Sequence, residues 1–439
     1  MAANLQHISR QRLMSSRLGE IMVKLNKRVS SAAVALALSS MATAVCAGGF
    51  GIGTQSGSGT GNAFAGGAAA ADDASVAWSN PAAMSALPSG KQLTVAGHIL
   101  VPSFKFTNNG STGAFALPGS GEGGDGGELA VVPNAFFTMD IDAKLRFGFA
   151  VNVPFGLATE YDQGWRGRFS GIESALQAIN LNPSLSYKIS DTLSVGGGVS
   201  LQKMDAKLTG AGVAGIVTIK GDDIGYGFNL GAMYQMTPAT RLGAAYRSAI
   251  HYGLEGTITV SGLPAANGNV YASIKTPDSL SLSLFSVLSP KWELMGDVTW
   301  TGWSDVKRLD VVRTTASVAG PVGSTATTLL FNWKDTMRYS VGANYRLSEQ
   351  TKLRFGLALD NTPTNDVDRT PRLPDQDRTW VAFGVQYKPS KQGTLEVGYA
   401  HEFVKDSSVN VAVPPAPGRL IGTFENKADI LSVQYSHRF

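Results

Sequence analysis

The last ten residues read Ile430-Leu431-Ser432-Val433-Gln434-Tyr435-Ser436-His437-Arg438-Phe439. Leu431, Val433, Tyr435, His437 and Phe439 fall on one face, with Ser432, Gln434, Ser436 and Arg438 on the other. Alternation of this kind is the period of a β-strand with unlike surroundings on its two sides. It recurs upstream. Leu145, Phe147, Phe149, Val151 and Val153 alternate with Arg146, Gly148, Ala150 and Asn152, and Met337, Tyr339, Val341, Ala343 and Tyr345 with Arg338, Ser340, Asn344 and Arg346. Short polar turns punctuate these runs at residues 140–144, 190–192, 237–240, 289–291, 348–350 and 390–392. Six turns separate seven hairpins, hence fourteen strands. An even number of strands with short turns on one side and long loops on the other reads as an all-β, transmembrane antiparallel barrel of the outer-membrane type. Tyr187, Tyr234, Trp292, Tyr345, Tyr387 and Phe439 sit beside the turns, as an aromatic girdle at a membrane interface requires.

Composition agrees. No run beyond the N-terminal region approaches the roughly 20 apolar residues of a membrane helix, and near-zero mean hydropathy suits strands that face lipid on alternate residues. Residues 1–47 read as a secretory leader, with Lys24, Lys27 and Arg28 before an apolar stretch and Val45-Cys46-Ala47 at the cleavage site; Met22 is an alternative start. The formal charge of +4 becomes −1 without the leader, which holds six bases and one acid. A nucleic-acid partner thereby loses its support. The only cysteine, Cys46, belongs to the leader, so the remainder has no disulfide or thiol chemistry.

Residues 48–90 do not share the barrel rhythm. They are rich in Gly, Ala and Ser and poor in charge, which favours packing inside a lumen over a free periplasmic tail. Residues 91–439 form the barrel. Its third strand runs into Asn152-Val153-Pro154-Phe155-Gly156-Leu157. Proline removes a ladder donor and glycine permits a bulge. Either the strand ends at Pro154, or the wall opens there and lets a lipophilic molecule leave sideways. Beyond it, Trp165, Phe169, Ile172 and Leu176 follow helical spacing, so an outer-loop helix is expected, for ligand capture or for covering the mouth. Inward-facing Arg146, Asp297, Arg338, Arg346, Arg354, Asp360 and Glu396 read as a mutually neutralising lumen network. Residues 57–61 (GSGTG) lack the lysine of a phosphate loop, and His98, His251, His401 and His437 lack metal-ligand spacing. No catalytic residue, metal or cofactor is expected.

Three stretches resemble the FadL/TodX-type outer-membrane transporters of long-chain fatty acids and other hydrophobic compounds. They are Gly49-Phe50-Gly51 with Ala70-Ala71-Asp72-Asp73-Ala74 and Asn80-Pro81-Ala82; Phe155-Gly156-Leu157-Ala158-Thr159-Glu160-Tyr161; and Leu373-Pro374-Asp375-Gln376-Asp377-Arg378-Thr379-Trp380. The resemblance implies a fourteen-stranded barrel with an N-terminal hatch over residues 48–90, and passive uptake from an outer-loop groove to a lumen pocket. Release would be lateral, at the kink Pro154, Phe155 and Gly156. It implies that Phe50 touches ligand, that Asn80, Pro81 and Ala82 form the hatch motif, and that Lys334 in Trp333-Lys334-Asp335 meets a fatty-acid carboxylate. A second family base is replaced here by Thr209 or Gly210, which leaves neutral hydrocarbons open. Trp165, Phe169 and Ile172 would serve outer-loop capture; Asp375, Asp377 and Arg378 would fix an outer loop. The expected partners are a hydrophobic small molecule, outer-membrane lipid and lipopolysaccharide, and the barrel-assembly machinery through the strand ending at Phe439, the barrel itself being a monomer in a Gram-negative outer membrane. The functional alternatives are uptake of aromatic or alkane hydrocarbons, a general diffusion porin, or a surface-binding barrel.

Overall fold

Each short turn is closed by a side-chain oxygen that takes over backbone donors. Asp142 Oδ1 accepts from the N–H groups of Lys144 and Leu145 at 2.7 and 2.8 Å. Ser190, Ser289, Ser348 and Ser390 do the same through Oγ, and Thr237 through Oγ1. Such local capture is why Asp, Ser and Thr dominate these positions.

The computed structural model describes residues 48–439; the expected leader, Met22 and Cys46 lie outside the described residues. The strands are β1 Lys91–Asn108, β2 Ala130–Asp140, β3 Leu145–Glu160, β4 Glu173–Lys188, β5 Leu193–Gly212, β6 Gly215–Thr237, β7 Thr240–Arg247 with Ile250–Val260, β8 Gly268–Thr276 with Ser279–Val287, β9 Trp292–Thr301 with Arg308–Arg313, β10 Thr325–Leu330 with Thr336–Arg346, β11 Thr351–Asp360, β12 Arg378–Tyr387, β13 Gly393–Val404 with Ser407–Val411, and β14 Leu420–Arg438. Five of the fourteen are interrupted, so nineteen hydrogen-bonded segments make the wall. In β7 the interruption is bridged by Ser248, whose Oγ accepts from Phe228 N–H at 2.9 Å. Pairing is antiparallel throughout, and β1 closes on β14 from Gln92 opposite Arg438 to Asn108 opposite Gly422.

The alternation predicted for β14 holds: Leu431, Val433 and Tyr435 are exposed on the outer surface, while Ser432 and Gln434 are buried. Closing β1 on β14 leaves no free edge at either end of the sheet, and the one-residue alternation fixes its register. The lumen charges pair as expected: Arg146 with Asp140 at 2.5 Å, Arg346 with Glu293 at 3.6 Å, Arg338 with Asp360 at 4.0 Å. Asp297 instead accepts from the hydroxyls of Ser283 and Thr299.

Residues 48–88 pack against the inward faces of the strands. They contain two short helices, α1 Gly57–Gly61 and α2 Val76–Ser79, followed by a 3-10 turn Pro81–Ala86. Asn80 caps that turn through its side-chain oxygen, which accepts from Ala82 N–H, while its Nδ2 donates to Ala68 O at 2.7 Å and to Ala232 O of β6 at 3.1 Å. Gly57 N–H donates to Gln434 Oε1 at 2.8 Å, and Ser186 and Ser194 both donate to Ala82 O. The wall meets this segment through glycines. A Cβ on Gly243 would lie 2.0 Å from Ala68 O, and one on Gly356 2.1 Å from Asn62 C. Only a residue without a side chain lets backbone approach backbone so closely.

Candidate functional site

The β2–β3 ladder is short. It runs from Asp140 opposite Arg146 to Ala135 opposite Val151 and stops. Farther along β2, Ala130 to Asn134 remain paired with β1 alone. On its other side β3 slips register against β4 between Asn152 and Phe155, which is the kink read at Pro154. The proline therefore sits inside β3 and does not end it. Val153, expected on the outer face, turns inward and is buried with Ile52, Leu100 and Val132 because the bulge reverses the alternation. At the loop end the wall is joined again: Gly127 bridges Thr159, and Gly126 donates to Phe104 O at 2.9 Å. The result is a gap in the wall, bounded above and below.

The N-terminal segment fills it. Ile52 N–H donates to Pro154 O at 2.8 Å and Gly156 N–H donates to Phe50 O at 2.9 Å, with Gly51 opposite Phe155. Gln55 secures the site, donating to Ile52 O at 2.7 Å and Val153 O at 3.1 Å while accepting from Asn152 Nδ2 at 2.6 Å. Phe50 is buried among rings, with centroids 4.9 Å from Trp303, 5.4 Å from Trp333 and 5.8 Å from Phe155. Inside lies a cavity of about 290 Å³, lined by Ile52 and Phe155 at the gap, by Trp303, and by Trp78, Arg247 and Arg338 among others.

The outer loop motif anchors the start of this segment. Asp375 Oδ2 accepts from Gly49 N–H at 2.9 Å and from Thr362 Oγ1 at 2.6 Å. Arg378 pairs with Asp375 and, at 2.9 Å, with Glu402. Asp377 accepts from Thr362 N–H at 3.0 Å and from Lys405 at 3.2 Å. Burial opposes the charge on Asp377, yet these two contacts hold its carboxyl below the usual range. A second anchor lies deeper: Arg354, fully buried, joins Asp72 of the segment at 2.9 Å to Glu396 of β13 at 2.6 Å.

Other expected site residues are placed differently. Residues 161–172 make turns and no helix, because Gly164, Gly167 and Gly171 interrupt the apparent helical spacing and Leu176 already belongs to β4. Trp165 and Ile172 are buried, and Phe169 packs on Phe115 at 5.7 Å. Trp165 stacks on Tyr161 at 4.4 Å. Lys334 is exposed; its backbone N–H donates to Pro363 O at 3.1 Å, and it is not among the residues lining the cavity. Near Thr209 and Gly210, where the resemblance led us to look for a second base, lies an arginine that spacing could not reveal. Arg372, from the loop before β12, donates to Thr209 O at 3.0 Å and to Ser174 Oγ at 2.9 Å, and burial pulls its guanidinium down to about 10.

Residues 38–439 match the model of the outer membrane protein transport family OMPP1/FadL/TodX. The chain belongs to this family. Among its relatives, outer membrane protein P1 of Haemophilus influenzae is 30% identical over 388 residues, covering 77% of this chain and 82% of that protein. The long-chain fatty acid transport protein of Escherichia coli K12 is 24% identical over 329 residues, covering 64% and 72%. Solved structures agree in fold. A Pseudomonas aeruginosa FadL homologue superposes with a TM-score of 0.81 at 24% identity over 90% of this chain and all of that one. The Pseudomonas putida toluene transporter TodX gives 0.64 at 20% over 83% and 94%. This FadL/TodX barrel is an outer-membrane transport protein for hydrophobic compounds, and not an enzyme.

Proposed function

We propose that this barrel takes up long-chain fatty acids passively and releases them sideways through the β2–β3 gap, with residues 48–90 acting as the hatch. The carrying observation is the wall itself: where β3 leaves β2, the missing ladder bonds are supplied by Phe50 and Ile52 of a separate segment. Two backbone hydrogen bonds, two more through Gln55 and the ring contacts of Phe50 are a reversible closure, whereas a continuous ladder is not. An apolar ligand gains roughly 25 cal/mol per Å² of surface buried in the cavity and passes from there into bilayer without returning to water. Lys334, exposed beside the buried Trp333, is the outer carboxylate contact in this reading.

The experiment replaces Pro154 and Gly156 together with valine so that β3 can pair along its length. Uptake of a radiolabelled fatty acid should be lost while the barrel still folds. Undiminished uptake would refute the lateral route.

A second reading, uptake of aromatic hydrocarbons by the same path, is favoured by the ring cluster of Phe50, Phe155, Trp303 and Trp333 at the gap. Competition of toluene against fatty acid for uptake separates the two. A large steady conductance in planar bilayers would instead favour a diffusion porin.

A further inference from the structure

The cavity is lined by two cations, and only one has an acid beside it. Arg338 lies 4.0 Å from Asp360. Arg247, at the end of the first half of β7, has no carboxylate within ion-pair distance among the described residues. It reaches instead to α2. Its Nη2 donates to the carbonyl of Trp78 at 2.7 Å, and its guanidinium carbon stands 3.2 Å from the centre of the Trp78 ring. The remaining contact, to Ser200 Oγ, is long at 3.4 Å. Asp297, the other acid in the lining, is already engaged by Ser283 and Thr299. A guanidinium held by a neutral carbonyl and a ring face, beside an apolar cavity, keeps most of its capacity for an anion.

We propose that Arg247 is the head-group receptor of the cavity, taking the carboxylate of a lipophilic anion and letting go of Trp78 as it does so. This rests on the transport reading above. A carboxylate offers two acceptors in the plane of the guanidinium fork, and such charge-assisted pairs are stronger than a bond to a neutral carbonyl. Exchange of partner would free Trp78, and with it α2, which leads directly into the Asn80 cap that grips β6. Occupation of the cavity is thereby communicated to α2, where Trp78 packs on Phe136 of β2 and Ala150 of β3 beside the end of their ladder. Cargo chemistry follows as well: lipophilic acids are preferred over esters, alcohols and hydrocarbons of equal chain length.

The test measures binding of oleate and of methyl oleate to the detergent-purified full-length protein, by titration calorimetry and by tryptophan fluorescence. Arg247→Gln should lower the preference for oleate over the ester by roughly tenfold or more, the usual worth of a hydrogen-bonded charge. Arg247→Lys should keep part of the preference, since it keeps the charge and loses the fork. Trp78→Leu removes the competing ring face, while the main-chain carbonyl at 78 stays, and should tighten oleate binding. Retained heat-modifiable migration on gels reports that each variant is folded. An equal loss for both ligands in Arg247→Gln would mark a structural role and overturn the proposal, as would an unchanged preference, or a wild-type protein that does not distinguish the two. The binding result stands apart from the route: uptake that ignores the Pro154 and Gly156 replacements would defeat lateral transport and leave the receptor intact.

Discussion

The peptide N–H of Ile52 donates to the carbonyl oxygen of Pro154 at 2.8 Å, so the N-terminal segment provides a bond that β2 does not. With Gly156 donating to Phe50, the facing residues Gly51 and Phe155 form the narrow kind of antiparallel pair, whose bonds lie to either side of it. Cα atoms in such pairs are about 4.5 Å apart, within reach of a disulfide. Gly51→Cys with Phe155→Cys should therefore lock the segment to the wall. The sequence has a single cysteine, Cys46, and making the pair in a Cys46→Ser background leaves it unambiguous. Oxidised, the double variant should take up no fatty acid, and a reductant should restore uptake. Transport through the oxidised form would mean that the gap is not the exit.

The glycines beneath the segment give a second prediction. Ala68 O lies where a Cβ on Gly243 would need to be, at 2.0 Å, and both partners are backbone that cannot swing aside. Gly243→Ala should lift the segment off the wall while the strands still pair. Planar-bilayer recordings should then show larger openings than wild type. Gly97→Ala, with no heavy atom within 4 Å of the added carbon, is the matched control and should stay closed. Equal conductance in the two variants would show that close backbone packing does not hold the segment in place.

Much of this architecture could be read from residues near in sequence. The six turns are local devices, each closed by its own Asp, Ser or Thr, and the alternation of β14 records which side faces the outer surface. Pro154 likewise announces the kink. What could not be read depends on contacts between distant residues. Nothing in Gly49 indicates Asp375, 326 positions away, and nothing in Trp78 indicates Arg247. The apparent helix around Trp165 failed because apolar spacing outweighed three glycines in the reading, whereas the backbone obeys the glycines. The inward-facing glycines were the available signal for the segment's path: a strand interior gains nothing from glycine unless another backbone must come close.

Arg354 ties the segment to the wall by charge, and its removal has a calculable consequence. Its side chain is 1% exposed and pairs with Asp72 and Glu396. Arg354→Met would leave the buried Glu396 carboxylate with only the neutral amides of Gln386 and Gln434, and Asp72 without its cation, a loss of roughly 3–5 kcal/mol. The temperature at which the folded barrel loses its fast electrophoretic migration should fall accordingly. Adding Glu396→Gln should recover part of the loss by removing one of the stranded charges. An unchanged unfolding temperature in Arg354→Met would show that the pair is relieved by solvent.

The same tie sets a pH dependence. Burial by itself would raise the pKa of Asp72, but Arg354, with Lys352 and Arg241 behind it, overcomes this and holds the carboxyl at about 2 against an ordinary 3.8. A depressed folded pKa means that the tie contributes fully above the ordinary value and is lost as the pH falls from 3.8 through about 2. Protonation in that window removes the partner that Arg354 holds across the lumen. Bilayer conductance of the wild type should then stay low from neutral pH down to about pH 4 and rise below it, as the linkage requires. Asp72→Asn carries no charge to lose, so it should show the raised conductance at neutral pH and little further change on acidification. If the wild type opened instead as the pH rose, or if Asp72→Asn kept the acid transition, the anchor between Asp72 and Arg354 would not be what holds the segment down.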